Sequence, residues 1–444
     1  MERYTSFTQI KDQGPYITGL ILHLDREIRA AELPQNCFNV YAERRDPETG
    51  ELLPLPGSVW QKQPPSKGYR RVLDAWPCSP DGKRQNAGRD IFLTLQEEPL
   101  GKRTQGSVLE SRYISCYHRV TQLLPIPAGA PSDLPLAGLV FDECEGDLCP
   151  QTAGWAVEMA KRSGAGLPEA LGYAYFTPEH TVTGNIFEPY KPLGPGEKLP
   201  LVIWLHGAGE GGTDPWLTVT GNKAVNLSSD ELQRKLGGAA WVLAPQCPSF
   251  WMDDGGGKIA HTSRSIYGEL VMACIRDFIA AHGQQIDEDR VLIGGDSNGG
   301  FMTVRMAVDY PGVFAAAFPA CQAFFSRNMS DAELKNLVDL PLWFIHCRQD
   351  ELVPPRETTL PIYYRLLAAG AKNVHLTYLD HMEDLTGEYR DELGRPRRLF
   401  NHSVWIHVYN DQVDTELDGR KVLVDGEPAT LFEWLGAQKR GRDC

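Results

Sequence analysis

The sequence predicts an α/β protein with a mainly parallel sheet and helices on both of its faces, preceded by a small all-β sandwich domain. A chain of 444 residues exceeds the usual size of one hydrophobic core. Residues 1–135 show strand patterns without a helical period, whereas strands and helices alternate over residues 169–444. We therefore expect two domains joined by a connecting segment over residues 136–168.

Four runs of β-branched and aromatic residues define the first domain. They are "ITGLILHLD", "CFNVYAER", "RDIFLTLQ" and "YISCYHRVTQLL", separated by clusters of proline, glycine and aspartate. This spacing is typical of a small β-sandwich. The following stretch "LPIPAGAPSDLPLAG" has the composition of a linker, and "GWAVEMAKRS" behind it is a helix candidate with weak apolar spacing.

Short apolar strands alternate with helical patterns in the second domain. Its elements, in chain order, are the strands "LPLVIWLHG" and "AAWVLAPQ", the helix "SIYGELVMACIRDFIAAHG", the strand "RVLIGG", the helix "GGFMTVRMAVDY", the strands "VFAAAFPA" and "LPLWFIHC", the helix "RETTLPIYYRLLAAG", the strand "NVHLTYL" and the helix "TLFEWLGAQKR". This alternation predicts a mainly parallel sheet.

Charge and hydropathy exclude several classes of partner. A net charge of -14 opposes binding to a phosphate backbone, which requires clustered Lys and Arg, so we expect no nucleic-acid partner. No apolar run approaches the ~20 residues of a membrane span, and "MERYTSFTQIKDQG" carries no apolar leader segment. These features predict a cytoplasmic protein without a membrane partner, or a secreted one if a signal peptide was removed. The oligomeric state stays open.

The ten cysteines are scattered, and their spacing does not match a zinc site. The nearest pair, Cys144 and Cys149, lacks a second matching pair with histidine nearby. We expect mostly buried thiols of a reducing compartment, with a Cys144–Cys149 disulfide as the alternative. No metal and no organic cofactor is expected.

The segment "VLIGGDSNGG" gives the strongest chemical signal. It places Ser297 in a G-x-S-x-G motif between a strand and a helix, the sequence pattern of a strained turn that exposes a nucleophilic serine. A serine hydroxyl requires a base, normally histidine, and that base requires a carboxylate. In such a sheet the acid and the base follow the serine in chain order.

The acid and the oxyanion donors can be assigned from strand ends. Asp350 follows the strand "LPLWFIHC", with Glu351 as the neighbouring alternative. The backbone amide of Asn298 is one expected donor. Ala208, in the small-residue loop "HGAGEGG" after a strand, is the other, with Gly209 as its alternative and Gly207 expected at the substrate-binding surface.

The choice of base is open from the residues alone. His381 directly follows the strand "NVHLTYL", the usual position from which the base is supplied. His375 lies inside that strand, and His407 lies further along, so both are expected to be packing or surface histidines.

These motifs resemble those of α/β-hydrolase serine esterases of the polyhydroxybutyrate-depolymerase and feruloyl-esterase-like group, in particular bacterial esterases with an N-terminal immunoglobulin-like domain. The resemblance covers "LPLVIWLHGAGEGGTDP", the serine motif, "WFIHCRQDELVPP" and "NHSVWIHVYND". It implies that His402, followed three residues later by Trp405, is the base, although the glycine that commonly precedes this histidine is absent. Residues 382–400 would then form an inserted loop.

The expected function is a serine carboxylesterase that uses Ser297, His402 and Asp350. Phe250, Trp251 and Trp405 form the expected apolar wall for an acyl or aryl group, with ordinary loop packing as the alternative. The resemblance implies short-chain esters, with feruloyl esters or polyesters as related possibilities, borne on small molecules or polymers. A prolyl-oligopeptidase-like peptidase and a catalytically inactive binding protein are the two other functions considered.

Overall fold

The computed structural model describes residues 2–29, 33–53, 66–96, 103–107, 110–127, 134–163, 166–178 and 196–441. The chain divides into two compact units, one formed by Met1–Ser107 with Ser111–Thr152 and the other by Val108–Glu110 with Ala153–Cys444. Residues 128–133 of the predicted linker lie outside the described residues. No helix in the described ranges is long and apolar enough to cross a membrane.

The first unit is built on an eight-stranded sheet of order β4-β3-β9-β10-β1-β2-β6-β5. Its strands are β1 (Glu2–Lys11), β2 (Gly14–Ile28), β3 (Phe38–Arg45), β4 (Lys67–Arg70), β5 (Val72–Cys78), β6 (Gly88–Leu95), β9 (Ser115–Gln122) and β10 (Val140–Leu148). A separate two-stranded ribbon consists of β7 (Arg103–Ser107) and β8 (Glu110–Tyr113).

Side chains from both ends of this sheet share one hydrophobic core. Val40 of β3 and Ile91 of β6 are fully buried in the same cluster, although their strands lie far apart in the sheet order. The sheet must therefore fold back on itself into two layers around that core, as a β-sandwich does. The alternation of buried and partly exposed residues along β1 and β3 has the period of two that such packing requires.

The predicted connecting segment differs from the structure. Residues 140–148 form β10, which pairs in parallel with β1 and antiparallel with β9, so this part of the segment belongs to the sandwich and is not a linker. The helix candidate "GWAVEMAKRS" is wrong: Trp155–Glu158 form the strand β11 of the second unit. The mainly polar sequence of β10 explains why no strand was predicted there.

The second unit contains an eight-stranded sheet of order β11-β12-β14-β13-β15-β16-β17-β18. Besides β11 its strands are β12 (Tyr173–Phe176), β13 (Leu199–Leu205), β14 (Trp241–Pro245), β15 (Ile286–Asp296), β16 (Ala316–Ala320), β17 (Leu342–Cys347) and β18 (Val374–Leu379). The pairings from β14 to β18 are all parallel, and among the described strands only β12 runs antiparallel to its neighbours, β11 and β14. The mainly parallel sheet is thus confirmed.

Eight helices accompany the described strands of the second unit. They are α1 (Leu217–Thr220), α2 (Asp230–Lys235), α3 (Gly268–His282), α4 (Asn298–Asp309), α5 (Asp331–Lys335), α6 (Thr359–Ala368), α7 (Trp405–Tyr409) and α8 (Leu431–Ala437), followed in sequence by Gln438. The hairpin β19 (Leu423–Val424) and β20 (Glu427–Pro428) precedes α8. One face of α3 packs on the core, because Cys274 and Phe278 are buried and Leu270 is partly buried.

The nine cysteines in the described part of the chain are free thiols. Cys144 is exposed and Cys149 half-buried, and the alternative of a disulfide between them is not what the structure shows. Six of the others are buried, which matches the expectation of buried thiols.

Candidate active site

The serine motif forms a sharp turn between β15 and α4. Ser297 has φ 53° and ψ -110°, a left-handed conformation that non-glycine residues rarely adopt, and it immediately precedes the first helical residue, Asn298. Its N–H donates to the carbonyl of Ala320 on the neighbouring strand at 2.9 Å. The strained turn therefore lifts the hydroxyl away from the sheet at the carboxyl end of the strand.

Two glycines of the motif allow this turn to pack against β13. A Cβ atom at Gly299 would lie 1.9 Å from the carbonyl oxygen of Leu205, and one at Gly295 would lie 2.4 Å from the same atom. This oxygen is a backbone atom, so no side-chain rotation can relieve either contact. Only glycine lets the turn and the helix that follows it approach the sheet this closely.

Replacing Gly299 by alanine is expected to destabilise the second unit by more than about 3 kcal/mol, because a methyl group would be forced onto backbone. Urea denaturation followed by circular dichroism measures this loss. Gly256→Ala is the matched control, since its Cβ would meet nothing closer than 3.9 Å. Equal stability of the two variants would contradict the packing argument.

Ser297, His402 and Asp350 form a continuous hydrogen-bonded chain. His402 Nε2 lies 2.8 Å from Ser297 Oγ, and His402 Nδ1 lies 2.7 Å from Asp350 Oδ2. Asp350 follows β17, and His402 lies in the segment between β18 and α7. Because a carboxylate only accepts, Nδ1 carries the proton and Nε2 is free to accept the serine hydroxyl proton.

Asp350 is held by donors on both oxygens. Its Oδ1 accepts the backbone N–H groups of Leu352 and Val353, each at 2.9 Å. Its Oδ2 accepts from His402 and, at 3.2 Å, from His346. Burial alone would raise the pKa of Asp350, but the hydrogen bonds from His346 and His402 outweigh it and hold the pKa well below its usual range.

The depressed pKa of Asp350 predicts an acid-dependent contribution to folding. Because the pKa is lower in the folded than in the unfolded chain, the contribution is present above the unfolded value of about 3.9 and is lost as the pH falls through the folded value. The difference in unfolding free energy between wild type and Asp350→Asn should therefore shrink between neutral pH and acid pH. Urea titrations at several pH values measure it, and a difference independent of pH would contradict this account.

The two histidines that competed as base occupy different environments. His402 is buried, and its ring lies edge-on to Trp405 with centroids 5.5 Å apart. His381 is one-third exposed, and its Nε2 lies 3.3 Å from Glu383. His407 is buried, and its Nε2 lies 2.9 Å from the carbonyl oxygen of Glu383.

Hydrogen bonds join the two ends of the inserted loop, residues 382–400. The N–H of Leu399 donates to the carbonyl of Met382 at 3.1 Å, and the N–H of Met382 donates to the Asn401 side chain at 3.0 Å. Inside the loop, the buried Asp384 accepts from the N–H groups of Gly387 and Tyr389. Residues 383–398 therefore project from these joined ends, and His402 enters the structure close to where β18 ends.

The predicted oxyanion donors lie at the same end of the sheet. Asn298 is the first residue of α4, where the backbone N–H has no partner within the helix. Ala208 opens a short 3-10 turn (Ala208–Glu210) directly after β13, next to the buried Gly207. A Cβ at Gly207 would lie 2.5 Å from Asp296 Oδ2, which explains the glycine there. The two amides therefore follow the ends of β15 and β13, which are neighbouring parallel strands.

Trp251 was expected to line the substrate site, and the structure corrects this. Its side chain has no exposed surface, its indole N–H donates to the His206 carbonyl at 3.1 Å, and its backbone N–H donates to Asn298 Oδ1 at 2.6 Å. Trp251 therefore fixes its loop to the sheet. Phe250 and Trp405 are each half-buried and remain candidates for substrate contact.

His206 and Glu351 take no part in the chain of hydrogen bonds. His206 is buried, its Nδ1–H donates to the Gly207 carbonyl at 2.6 Å, and its Nε2 accepts from the N–H of Cys247. Burial lowers its pKa, as fits a neutral structural histidine. Glu351, the alternative acid, is exposed and accepts from Asn401 at 3.2 Å.

Sequence reasoning missed the residues that support Asp350. His346, on β17, and Thr359, at the start of α6, are both fully buried and hydrogen-bonded to each other. The only sequence signal was a histidine four residues before the predicted acid. Among the described residues, no three histidine, cysteine or acidic side chains are grouped as metal ligands would be.

A parallel sheet with a strained nucleophile turn and a serine, histidine and carboxylate at its strand ends defines an α/β-hydrolase. Comparisons with known proteins agree. Residues 3–124 match the esterase Ig-like N-terminal domain family, and residues 194–384 match the phospholipase/carboxylesterase family. These matches, together with the fold, indicate a serine ester hydrolase with an immunoglobulin-like N-terminal domain, whose residues 194–384 are similar to the phospholipase/carboxylesterase family.

Among the solved structures that resemble the chain is one that matches the fold over nearly its whole length. The crystal structure of a thermostable esterase is 22% identical, covers 99% of this chain and 100% of its own, and superposes with a TM-score of 0.72. An acylaminoacyl peptidase from Pyrococcus horikoshii is 15% identical over 70% of this chain and 51% of its own, with a TM-score of 0.36. An S-formylglutathione hydrolase from Agrobacterium tumefaciens is 12% identical over 58% and 92%, with a TM-score of 0.35. None of the curated proteins matches the chain.

Proposed function

We propose that the chain is a carboxylesterase that hydrolyses short-chain acyl or aryl esters through an acyl-enzyme formed on Ser297. The observation that carries this proposal is the continuous chain of hydrogen bonds from Ser297 Oγ through His402 to Asp350. All three side chains lie at the carboxyl ends of parallel strands, where α/β sheets bind their ligands. The match of residues 194–384 to the phospholipase/carboxylesterase family supports an ester as the substrate.

The geometry supports the following steps. Ser297 Oγ attacks the ester carbonyl carbon while His402 Nε2 takes the hydroxyl proton, and Asp350 stabilises the resulting imidazolium. The backbone amides of Asn298 and Ala208 donate to the oxyanion. His402 then returns the proton to the leaving alcohol as the C–O bond breaks, and water, activated by the same histidine, releases the acid and restores Ser297.

The substrate class is proposed from the surroundings of His402. Trp405 packs edge-on against His402, and its ring is half-buried. The half-buried Phe250 follows β14 at the same end of the sheet. Together these rings supply an apolar wall suited to a short acyl or an aryl group, including a feruloyl group or a polyester segment.

Hydrolysis of p-nitrophenyl acetate, butyrate, octanoate and laurate, of ethyl ferulate and of matched p-nitroanilides tests this function. We expect turnover of the esters with preference for the shorter acyl chains, and anilide hydrolysis slower by several orders of magnitude. Anilides hydrolysed as fast as esters would indicate a peptidase. A folded protein that hydrolyses none of them and does not react with a fluorophosphonate would indicate an inactive binding protein.

A further inference from the structure

His346 is a second histidine in contact with Asp350. It lies on β17 four residues before that carboxylate, and its side chain has no exposed surface. Its Nε2 lies 3.2 Å from Asp350 Oδ2, the same oxygen that accepts from His402. The same Nε2 lies 3.1 Å from the carbonyl oxygen of Val353. None of the catalytic steps above uses this residue.

The surroundings of His346 define its tautomer. A carboxylate and a carbonyl can only accept, so Nε2 must carry the proton and donate. Nδ1 lies 2.8 Å from the Thr359 hydroxyl, which must then donate to it. The Thr359 oxygen in turn accepts from the Gln322 side-chain amide at 3.1 Å. Each donor in this chain faces an acceptor when the imidazole is neutral.

Gln322, at the far end of this series of hydrogen bonds, is fixed to the backbone. Gln322 is fully buried, and its Oε1 accepts from the N–H of Phe324 at 2.5 Å. This bond orients the amide so that its NH₂ group faces Thr359. The order of donation therefore runs from Gln322 to Thr359, then to His346 and finally to Asp350, with every side chain enclosed.

We propose that His346 is a positioning residue that holds the Asp350 carboxylate in place for His402, an inference that rests on the triad proposed above. Its Nε2–H donates to Oδ2, and the N–H groups of Leu352 and Val353 donate to Oδ1. Because both carboxylate oxygens are held in this way, Oδ2 stays directed at His402 Nδ1. Thr359 acts through His346, since its hydroxyl donates to Nδ1 and fixes the orientation of the imidazole. The hydrogen bond from His346 also contributes to the lowered pKa of Asp350.

A histidine on the neighbouring strand β18 is hydrogen-bonded away from the triad and gives a matched control. His375, on β18, has Nδ1 2.7 Å from Glu416 and Nε2 2.9 Å from Asn373, and it touches no triad residue in the described contacts. Its replacement removes a hydrogen-bonded, partly buried imidazole without altering the surroundings of Asp350.

The test compares His346→Leu, His346→Gln and His375→Leu with wild type. Leucine removes the donor, whereas glutamine carries an N–H group near the position of Nε2. Removing one hydrogen bond to a charged group is expected to lower kcat of His346→Leu by roughly 10- to 100-fold, with KM changed by less than about threefold. His346→Gln should recover most of the loss, and His375→Leu should keep the wild-type kcat.

Thr359→Val extends the test to the group that holds His346. Valine keeps the shape but removes the hydroxyl that donates to Nδ1, whereas Nε2 keeps its proton because both of its partners only accept. We expect a smaller loss of kcat than that of His346→Leu, because the imidazole loses one hydrogen bond but still donates to Asp350. The double variant His346→Leu/Thr359→Val should lose no more than His346→Leu alone, since Thr359 acts only through His346.

Active-site titration with a fluorophosphonate counts folded sites, so kcat is expressed per reactive serine even where a variant folds poorly. A His346→Leu enzyme with kcat within threefold of wild type overturns the proposal, as does a His375→Leu enzyme with an equal loss. If Ser297→Ala also keeps full activity, the triad itself is wrong. If Ser297→Ala is inactive while His346→Leu is normal, only the role of His346 fails.

Discussion

Replacing Ser297 or His402 by alanine is expected to lower kcat for ester hydrolysis by roughly four to six orders of magnitude. Ser297 Oγ and His402 Nε2 are 2.8 Å apart, so either change removes the nucleophile or the group that takes its proton. The double variant should lose little more than either single variant, because the two residues act as one unit. Steady-state kinetics with p-nitrophenyl butyrate measures the effect.

His381→Ala is the matched control for His402→Ala. Both histidines follow β18, but the His381 imidazole is bonded to Glu383 and one-third exposed. We expect His381→Ala to keep kcat within about threefold of wild type, as surface changes away from special features do. An inactive His381→Ala together with an active, folded His402→Ala would reverse the assignment and leave the observed hydrogen bonds without a catalytic role.

Asp350→Asn is expected to lower kcat by roughly four orders of magnitude. Both histidines donate to Asp350 Oδ2. An amide NH₂ group at that position would also be a donor, so it would face the N–H groups of the two histidines without an acceptor between them. His402 would then carry its proton on Nε2, facing Ser297, and could not take the hydroxyl proton. Measurement of kcat and KM separately should show the loss mainly in kcat.

Glu351→Gln is the control for this change. Glu351 is the adjacent carboxylate, is exposed, and contacts Asn401 rather than a triad residue. Its replacement should leave kcat unchanged within about threefold. If Glu351→Gln lost activity as strongly as Asp350→Asn, the acid would have been assigned to the wrong residue.

The nucleophile turn was predictable because its causes are local. A strand, two glycines and a helix start lie within a few residues of Ser297, and the close approach to Leu205 requires those glycines. The parallel sheet was predictable for a similar reason, since every residue of β13 and β17 is buried and each strand reads as a continuous apolar run. Local pattern and tertiary packing agree in these elements.

The histidine that contacts Ser297 and Asp350 could not be identified from residues alone, because its position depends on contacts distant in sequence. His402 lies 52 residues from Asp350 in the sequence and contacts it. The hydrogen bond between Met382 and Asn401 brings the two ends of the intervening loop together and makes this contact possible. Strand proximity favoured His381, whereas the family resemblance indicated His402. The geometry of an inserted loop is set by such tertiary contacts and has no simple sequence pattern.

The predictions that were wrong, for Trp251 and for the segment that forms β10, also failed because of contacts distant in sequence. Trp251 is an aromatic residue in a loop after a strand, but its hydrogen bonds to His206 and Asn298 draw it into the core. The strand β10 is mostly exposed and acidic, and it is held by pairing with β1, more than a hundred residues earlier. Neither burial by distant partners nor pairing with a distant strand leaves a signal in the local sequence.

Covalent trapping of Ser297 tests the central claim most directly. The wild-type protein is treated with a fluorophosphonate, digested and analysed by mass spectrometry, beside the His402→Ala and His381→Ala variants. We predict one adduct per chain, located on Ser297, formed rapidly in wild type and His381→Ala and slower by several orders of magnitude in folded His402→Ala. An adduct on another residue, or equally fast labelling of Ser297 without His402, would contradict the proposed triad.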